Sequence, residues 1–261
     1  MDDALKHDLS VLDLASSLPE AERKQILRRL DGLTGEQTAT LLTALRAEAL
    51  RRCERDGLLW LKFVRTRDET DPLNTVKPFP VELEYVRQLW QLIHAHQRIV
   101  IVKSRQMLMS WIACAYCVWH ARFHPNQFVV WQSQKEPDAF KMVCVAGGEK
   151  AGYLGRMQFL ERHLPSWMRM SVKEAQGAID YPNGSRIEGI PGGADQVRGK
   201  VPSIIVEDEY AYQPEAKGVY VAVAPLMQKN TKFIAISTPA GYSGNQFAAL
   251  YHGLSLGEAQ A

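Results

Sequence analysis

In the run SIIVEDEYAY, four mostly apolar residues end in Glu207, Asp208 and Glu209. The pattern predicts carboxylates at the carboxyl end of a buried strand, the edge at which open α/β sheets bind ligands. A carboxylate there can hold Mg2+ directly or through water, and its neighbour can polarise a water for in-line attack on phosphorus. Asp208 is the candidate for the metal and Glu209 for the water, with Glu207 pointing elsewhere. An acidic cluster after a strand is, taken alone, equally open to reading as a solvated turn. An earlier run makes a second part. IVIV at 99–102 leads into Lys103, Ser104, Arg105, Gln106, Met107, Leu108, Met109 and Ser110 before a helix-length stretch. A strand, a tight loop and a helix opening on a hydroxyl make the context of a phosphate-binding loop. Aligning Ser110 with the last position of G-x-x-x-x-G-K-[ST] puts Lys103 and Leu108 at the glycines and Met109 at the lysine, so the pattern itself is not met. Ser110 can still ligate Mg2+, and Lys103 at the loop's start can fold its ammonium back over phosphates; a plain connection with two solvated cations is the alternative. The third part is FIAISTPAGYSGNQF, where Ser237, Thr238 and Pro239 follow a strand. Polar groups at that tip can sense a terminal phosphate or reach Glu209, and ordinary turn chemistry is the competing reading.

The elements that position these residues follow from apolar periodicity. IVIV (99–102), FVVW (128–131), SIIV (203–206) and FIAIS (233–237) are continuous apolar runs suited to strands covered on both faces. Helical patterns at 110–123 and in QSQKEPDAFKMV alternate with them, which predicts a mainly parallel sheet. Asn183-Gly184 supplies left-handed backbone for a tight turn, so a β-hairpin insert is expected there. Residues 9–56 have the 3.6-residue apolar period of amphipathic helices. Pro72, Pro78 and Pro80 disfavour helix and mark a connection. The expected organisation is a helical N-terminal segment over 1–65 and an α/β domain over 66–261, without internal repeats.

Composition excludes several classes. With 261 residues and 46% apolar content the chain can bury a substantial core. Lys and Arg number 31 against 29 Asp and Glu, a formal +2, so nucleic-acid contact has to come from a local patch. No apolar run approaches a membrane span, and MDDALKHDLS lacks the regions of a signal peptide. Cys114 and Cys117 have ligand-like spacing, but they lie in the apolar run WIACAYCVWH with no second pair nearby, and helix-core packing is the better account.

Taken in order, KSRQMLMS, FVVWQSQKEPDAF, GADQVRGK, IIVEDEYAY and ISTPAGYSGNQF resemble the ATPase motifs of the phage terminase large subunit, over roughly residues 58–252. Members of that family commonly carry an R-Q-x-G-K-[ST] loop or a variant with its lysine at the loop's start, and Lys103 resembles the second form. The resemblance implies an ASCE-type P-loop NTPase fold and a motor that hydrolyses ATP with Mg2+ to package double-stranded DNA into a capsid. It implies a metal and catalytic pair in Asp208 and Glu209, and a coupling motif in Ser237, Thr238 and Pro239. Arg198, ten positions before Asp208, falls where the family tends to place an arginine that completes a neighbouring subunit's site; a solvated arginine on a Gly-rich loop is as good an account. Tyr85 and Gln88 match an adenine contact, with helix packing equally open for Tyr85. Gln134 and Lys135 fit a solvated helix start better than a nucleotide or DNA contact. The implied partners are the portal protein, the small terminase subunit and further copies of the chain in a ring, with a monomer possible in solution, no membrane, and the bacterial host's cytoplasm as location. Because the chain stops about twenty residues after Thr238, no RNase H-like nuclease activity is expected from it. Two other readings stay open: a helicase-like or remodelling P-loop ATPase, and a weakly hydrolysing docking module.

Overall fold

Thr34 caps the first described helix, α1 (Gly35–Arg55), in a reciprocal capping box with Gln37. Asp56 then receives the N–H groups of Leu58 and Leu59 and opens the short α2 (Gly57–Leu61). The computed structural model describes residues 33–258 except 69, 70, 72, 74, 105, 106, 214 and 241–244, together with residues 20, 21, 24 and 28. Most of the helical stretch expected before residue 33 therefore lies outside the described residues, as do Pro72 and, in the phosphate loop, Arg105 and Gln106. The helices are followed by β1 (Arg65–Arg67) and β2 (Val76–Pro78), an antiparallel pair that ends in proline at a position needing no further ladder bond.

The chain divides into two compact units. The first holds residues up to Val81 and Leu160–Met170. Its buried residues include Leu42, Cys53, Trp60, Leu61, Phe63, Leu164 and Met168, and Phe63 meets Trp167 edge-on with ring centroids 5.5 Å apart.

The second unit carries the sheet. In chain order its elements are α3 (Glu84–Ala95), β3 (Arg98–Val102), α4 (Met109–Phe123), β4 (Phe128–Ser133), α5 (Glu136–Met142), α6 (Arg156–Arg162, which runs on into the first unit's residues), β5 (Lys173–Ala175), β6 (Ala178–Asp180), β7 (Arg186–Pro191), α7 (Ala194–Val197), β8 (Ile204–Asp208), α8 (Ala216–Met227), β9 (Lys232–Ser237) and α9 (Gln246–Glu258). The sheet order is β3-β9-β8-β4-β7-β6-β5. The first five strands are parallel, and β6 and β5 return antiparallel on β7. All four apolar runs are strands, and β8 and β9 are buried almost throughout. β3 departs from the expected two-faced burial: it is an edge strand among the described residues, with Arg98 and Val102 exposed.

The hairpin insert also differs in detail. β6 and β7 are joined by residues 181–185, in which Gly184 has φ 84° while Asn183 is not in the left-handed region. Asn183 instead anchors the turn: its Nδ2 donates to the carbonyls of Ala121 and Arg122 at 2.9 and 3.1 Å. A Cβ on Gly184 would lie 2.4 Å from Asn126 Oδ1, a second reason for glycine there. α4 is apolar around its whole circumference and buried on nearly every side. Cys114 and Cys117 are free, buried thiols in it, as their apolar setting predicts.

Candidate active site

β3, β9 and β8 run parallel and side by side, so their carboxyl ends bring three separate sequence segments to one edge. Lys103 directly follows β3, and its N–H donates to the Ser237 carbonyl at the tip of β9 at 3.0 Å. Its side chain turns back into the site. Lys103 Nζ lies 3.1 Å from Ser110 Oγ, 3.3 Å from Asp208 Oδ1 and 3.0 Å from Glu209 Oε1. The ammonium therefore gathers the first hydroxyl of α4 and both carboxylates of the acidic pair around one positive charge.

The acidic pair is shaped by its backbone. Alternation along β8 puts Asp208 on the opposite face of the sheet from Glu207. Glu207 is fully buried and its carboxyl is pushed well above the usual range by burial. Asp208 is also raised by burial, opposed by the charge of Lys103 and raised further by Glu209; Arg156 lowers it. Glu209 leaves the strand in the left-handed region, φ 48° and ψ 43°. That turn starts the 3-10 segment Tyr210–Tyr212 and leaves the Glu209 side chain 42% exposed, open to a water or ligand.

β9 supplies the polar backing. Ser237 is fully buried; its Oγ accepts the Ala211 N–H at 3.1 Å, donates to the Thr238 carbonyl at 2.8 Å and lies 3.5 Å from Glu209 Oε2. Thr238 Oγ1 lies 3.4 Å from the same Glu209 oxygen and 3.4 Å from the Tyr212 hydroxyl. Both hydroxyls at the β9 tip thus face the same Glu209 oxygen, at the long limit of hydrogen-bond distance.

The site's own chemistry fits a magnesium ion. Mg2+ prefers oxygen ligands and takes one or two protein carboxylates, completing its shell with water and phosphate oxygens. Ser110 Oγ and Asp208 Oδ1 are such oxygens, and both already converge on a cation, the Lys103 ammonium. Among the described residues no group of three or more His, Cys, Asp and Glu could hold a metal without such outside ligands.

Other sequence candidates are spread more widely. Ser104 and Met107 are exposed, while Leu108 and Met109 are half-buried. Leu108 stands at the cap of α4 with φ 56° and ψ 6°, the left-handed backbone that glycine adopts freely. Tyr85 is half-buried on α3, and Gln88 is exposed with its amide donating to Glu84 at 2.8 Å. Neither has a recorded contact with Lys103, Ser110 or the acidic pair among the described residues. Arg198 is 69% exposed and pairs with Asp195 at 2.6 Å, away from the Lys103 cluster's contacts. Gln134 donates to the Tyr212 carbonyl at 3.3 Å.

Several contributors were missed from sequence. Gln213 is buried and its Nε2 donates to the Asp208 carbonyl at 3.0 Å, pinning the end of β8. Tyr212 donates to the Pro239 carbonyl at 3.2 Å and so ties the acidic turn to the β9 loop. Both follow the acidic pair within four residues, in EDEYAYQ, so their proximity in sequence was the available signal.

A mainly parallel sheet with one strand, β9, between the loop strand and the acidic strand defines an ASCE-type P-loop NTPase fold. No family model matches the sequence. The large terminase of bacteriophage HK97 has a similar structure, at TM-score 0.55 and 10% identity, covering 78% of this chain and 42% of that one. The large terminase ATPase domain of Thermus phage P74-26 aligns at TM-score 0.44 and 19% identity, over 61% of this chain and 66% of that domain. The structural neighbours are thus phage large terminases, and this chain spans less than two thirds of either neighbour's length. The likeness to the HK97 protein establishes the fold.

Proposed function

We propose that this chain is an ATP-hydrolysing motor domain that drives packaging of double-stranded viral DNA into a capsid. The observation that carries the reading is the convergence of Ser110, Asp208 and Glu209 on the Lys103 ammonium, at 3.0 to 3.3 Å. Two segments far apart in sequence, 103–110 and 208–209, supply the parts that phosphoryl transfer needs: a cation for the phosphates, oxygens for Mg2+ and a carboxylate for water. Ser110 and Asp208 would hold Mg2+, which when bound would supply neutralising charge for the phosphates. Lys103 then leaves the carboxylates for the triphosphate, and Glu209 is freed to orient the attacking water. Ser237 and Thr238, in contact with Glu209, relay the state of the phosphate to the β9 tip.

Residues 103–110 form the nucleotide loop, Tyr85 and Gln88 the adenine side, and Arg198 reaches a neighbouring subunit's site. The ATPase domain begins near residue 66, after a helical N-terminal segment. Double-stranded DNA, a portal protein, a small terminase subunit and further copies in a ring are the partners, and the host cytoplasm is the location. No helix among the described residues is long and apolar enough to cross a membrane.

The test is magnesium-dependent ATP hydrolysis by concentrated protein with duplex DNA, against Glu209→Ala. Loss of a water-orienting carboxylate lowers turnover by about a hundredfold or more. Hydrolysis no faster in the wild type than in the variant would turn the reading toward a docking module. Strand separation, in place of movement along intact duplex, would turn it toward a helicase.

A further inference from the structure

Arg156 opens α6, and among the described residues its guanidinium has no hydrogen bond or ion pair. It is stacked on an aromatic ring, its Cζ 5.3 Å from the centroid of Trp111. Trp111 immediately follows Ser110 in the first turn of α4, so the ring that carries the Arg156 charge belongs to the helix end that opens on the candidate site. That charge reaches the interior: it acts on the Cys114 thiol, one turn further along α4, and on the Asp208 carboxyl, where it works with Lys103 against the upward push of burial.

The backbone that carries Arg156 is built for close approach. A Cβ on Gly155 would lie 2.7 Å from the Val143 carbonyl and the Cys144 nitrogen, so no other residue fits without moving the main chain. Gln158, almost fully buried, accepts the N–H groups of Val145 and Gly155 at 3.2 and 3.1 Å, and its own N–H donates to the Val143 carbonyl at 3.0 Å. Trp111 is itself held edge-on by Phe159, with centroids 5.7 Å apart. The arginine is therefore held at its backbone and lies over the Trp111 ring, and among the described residues its planar donor fork meets no carboxylate. Such a fork matches phosphate oxygens. Lys103 already has two carboxylates; Arg156 has none.

We propose that Arg156 is a phosphate-contacting residue of this site, bonding through its guanidinium to the terminal phosphate of a nucleoside triphosphate bound in its own chain. The assignment rests on the ATPase reading. It is distinct from the role given to Arg198, which is exposed and paired with Asp195.

The experiment titrates dilute full-length chain with fluorescent ATP and ADP analogues in the presence of Mg2+, for the wild type, Arg156→Met and Arg156→Lys, with thermal unfolding measured on each. Arg156→Met keeps an apolar stem against Trp111 and removes the charge. It weakens triphosphate binding by about tenfold or more, the scale of a lost charged hydrogen bond, and leaves diphosphate binding within about twofold. Arg156→Lys keeps the charge without the fork and recovers only part of the triphosphate preference. Equal weakening of both nucleotides overturns the assignment, as does an unchanged preference in a folded Arg156→Met. If Arg156→Met does not fold, Arg156→Lys decides, and a wild-type preference there overturns it. A wild type that binds neither nucleotide overturns the ATPase reading and this inference together; wild-type binding with unaltered variants overturns the role of Arg156 alone.

Discussion

Two residues of the site carry backbone strain that their side chains do not relieve, Leu108 at φ 56° and Glu209 at φ 48°. A non-glycine residue in the left-handed region costs on the order of 1 kcal/mol or more, and such residues gather at functional sites. For Glu209 the conformation has an evident use, since it delivers the carboxylate to Lys103 and Thr238. Leu108 has no comparable contact among the described residues; it holds a left-handed turn at the cap of α4 with a Cβ that, where glycine has none, restricts close approach of a ligand to the backbone. Leu108→Gly releases the strain and adds unfolded-chain entropy of about 0.5 to 1 kcal/mol, so the two offset and the unfolding temperature stays within about 3 °C. With the loop backbone uncovered, triphosphate affinity and turnover rise several-fold. Isothermal titration beside a melting curve checks both halves, and a variant that binds ATP more weakly than the wild type contradicts the account of the loop.

At the scale of elements, α4 is the most deeply packed member of the site, since it begins at Met109, carries Ser110 in its first turn and is then buried along its length. Its C-terminal turn holds a stack of rings: His120 lies 4.6 Å from His124 and 6.3 Å from Tyr116, with its Nε2 3.0 Å from Gln127 Oε1. Burial lowers the His120 pKa from 6.5 to about 4. The unfolded chain therefore binds a proton that the folded chain refuses between these values, and stability falls as pH drops through that window. The loss is on the order of 2 kcal/mol by pH 4, and it is complete only below the folded pKa. Urea midpoints measured from pH 7 to pH 5 decline in the wild type, and His120→Gln flattens the decline; equal slopes would place the acid sensitivity elsewhere. Much of this element was legible in the sequence, because an apolar run polar on neither side reads as a buried helix. What periodicity could not convey was the junction: Asn183 reaches the last carbonyls of α4 from more than sixty residues away, and a long, though shorter, separation hid Arg156 from its ring on Trp111. The edge position of β3 was equally hidden, because an apolar run does not state how many neighbours it has.

At the scale of the whole molecule, Ser110, Asp208-Glu209 and Ser237-Thr238 lie together because β3, β8 and β9 are neighbouring parallel strands: the last two groups stand at the carboxyl ends of β8 and β9, and Ser110 follows β3 through the loop that opens α4. Arg198 lies outside that logic. Its ion pair with Asp195 joins side chains 69% and 83% exposed, an arrangement that holds it only weakly. The Arg198 side chain is thus free to leave Asp195 for a phosphate presented by another copy, at little cost to this chain's fold. Arg198→Ala accordingly leaves the unfolding temperature within about 2 °C while lowering assembled hydrolysis by about a thousandfold or more, the range of an arginine finger's contribution. The decisive measurement mixes two inactive proteins, Arg198→Ala and Glu209→Ala. In the mixture some interfaces pair an intact Glu209 from the first with an intact Arg198 from the second, and hydrolysis returns to a fraction of the wild-type rate that grows as the two approach equal amounts. A mixture as inactive as its components assigns Arg198 to its own chain's surface.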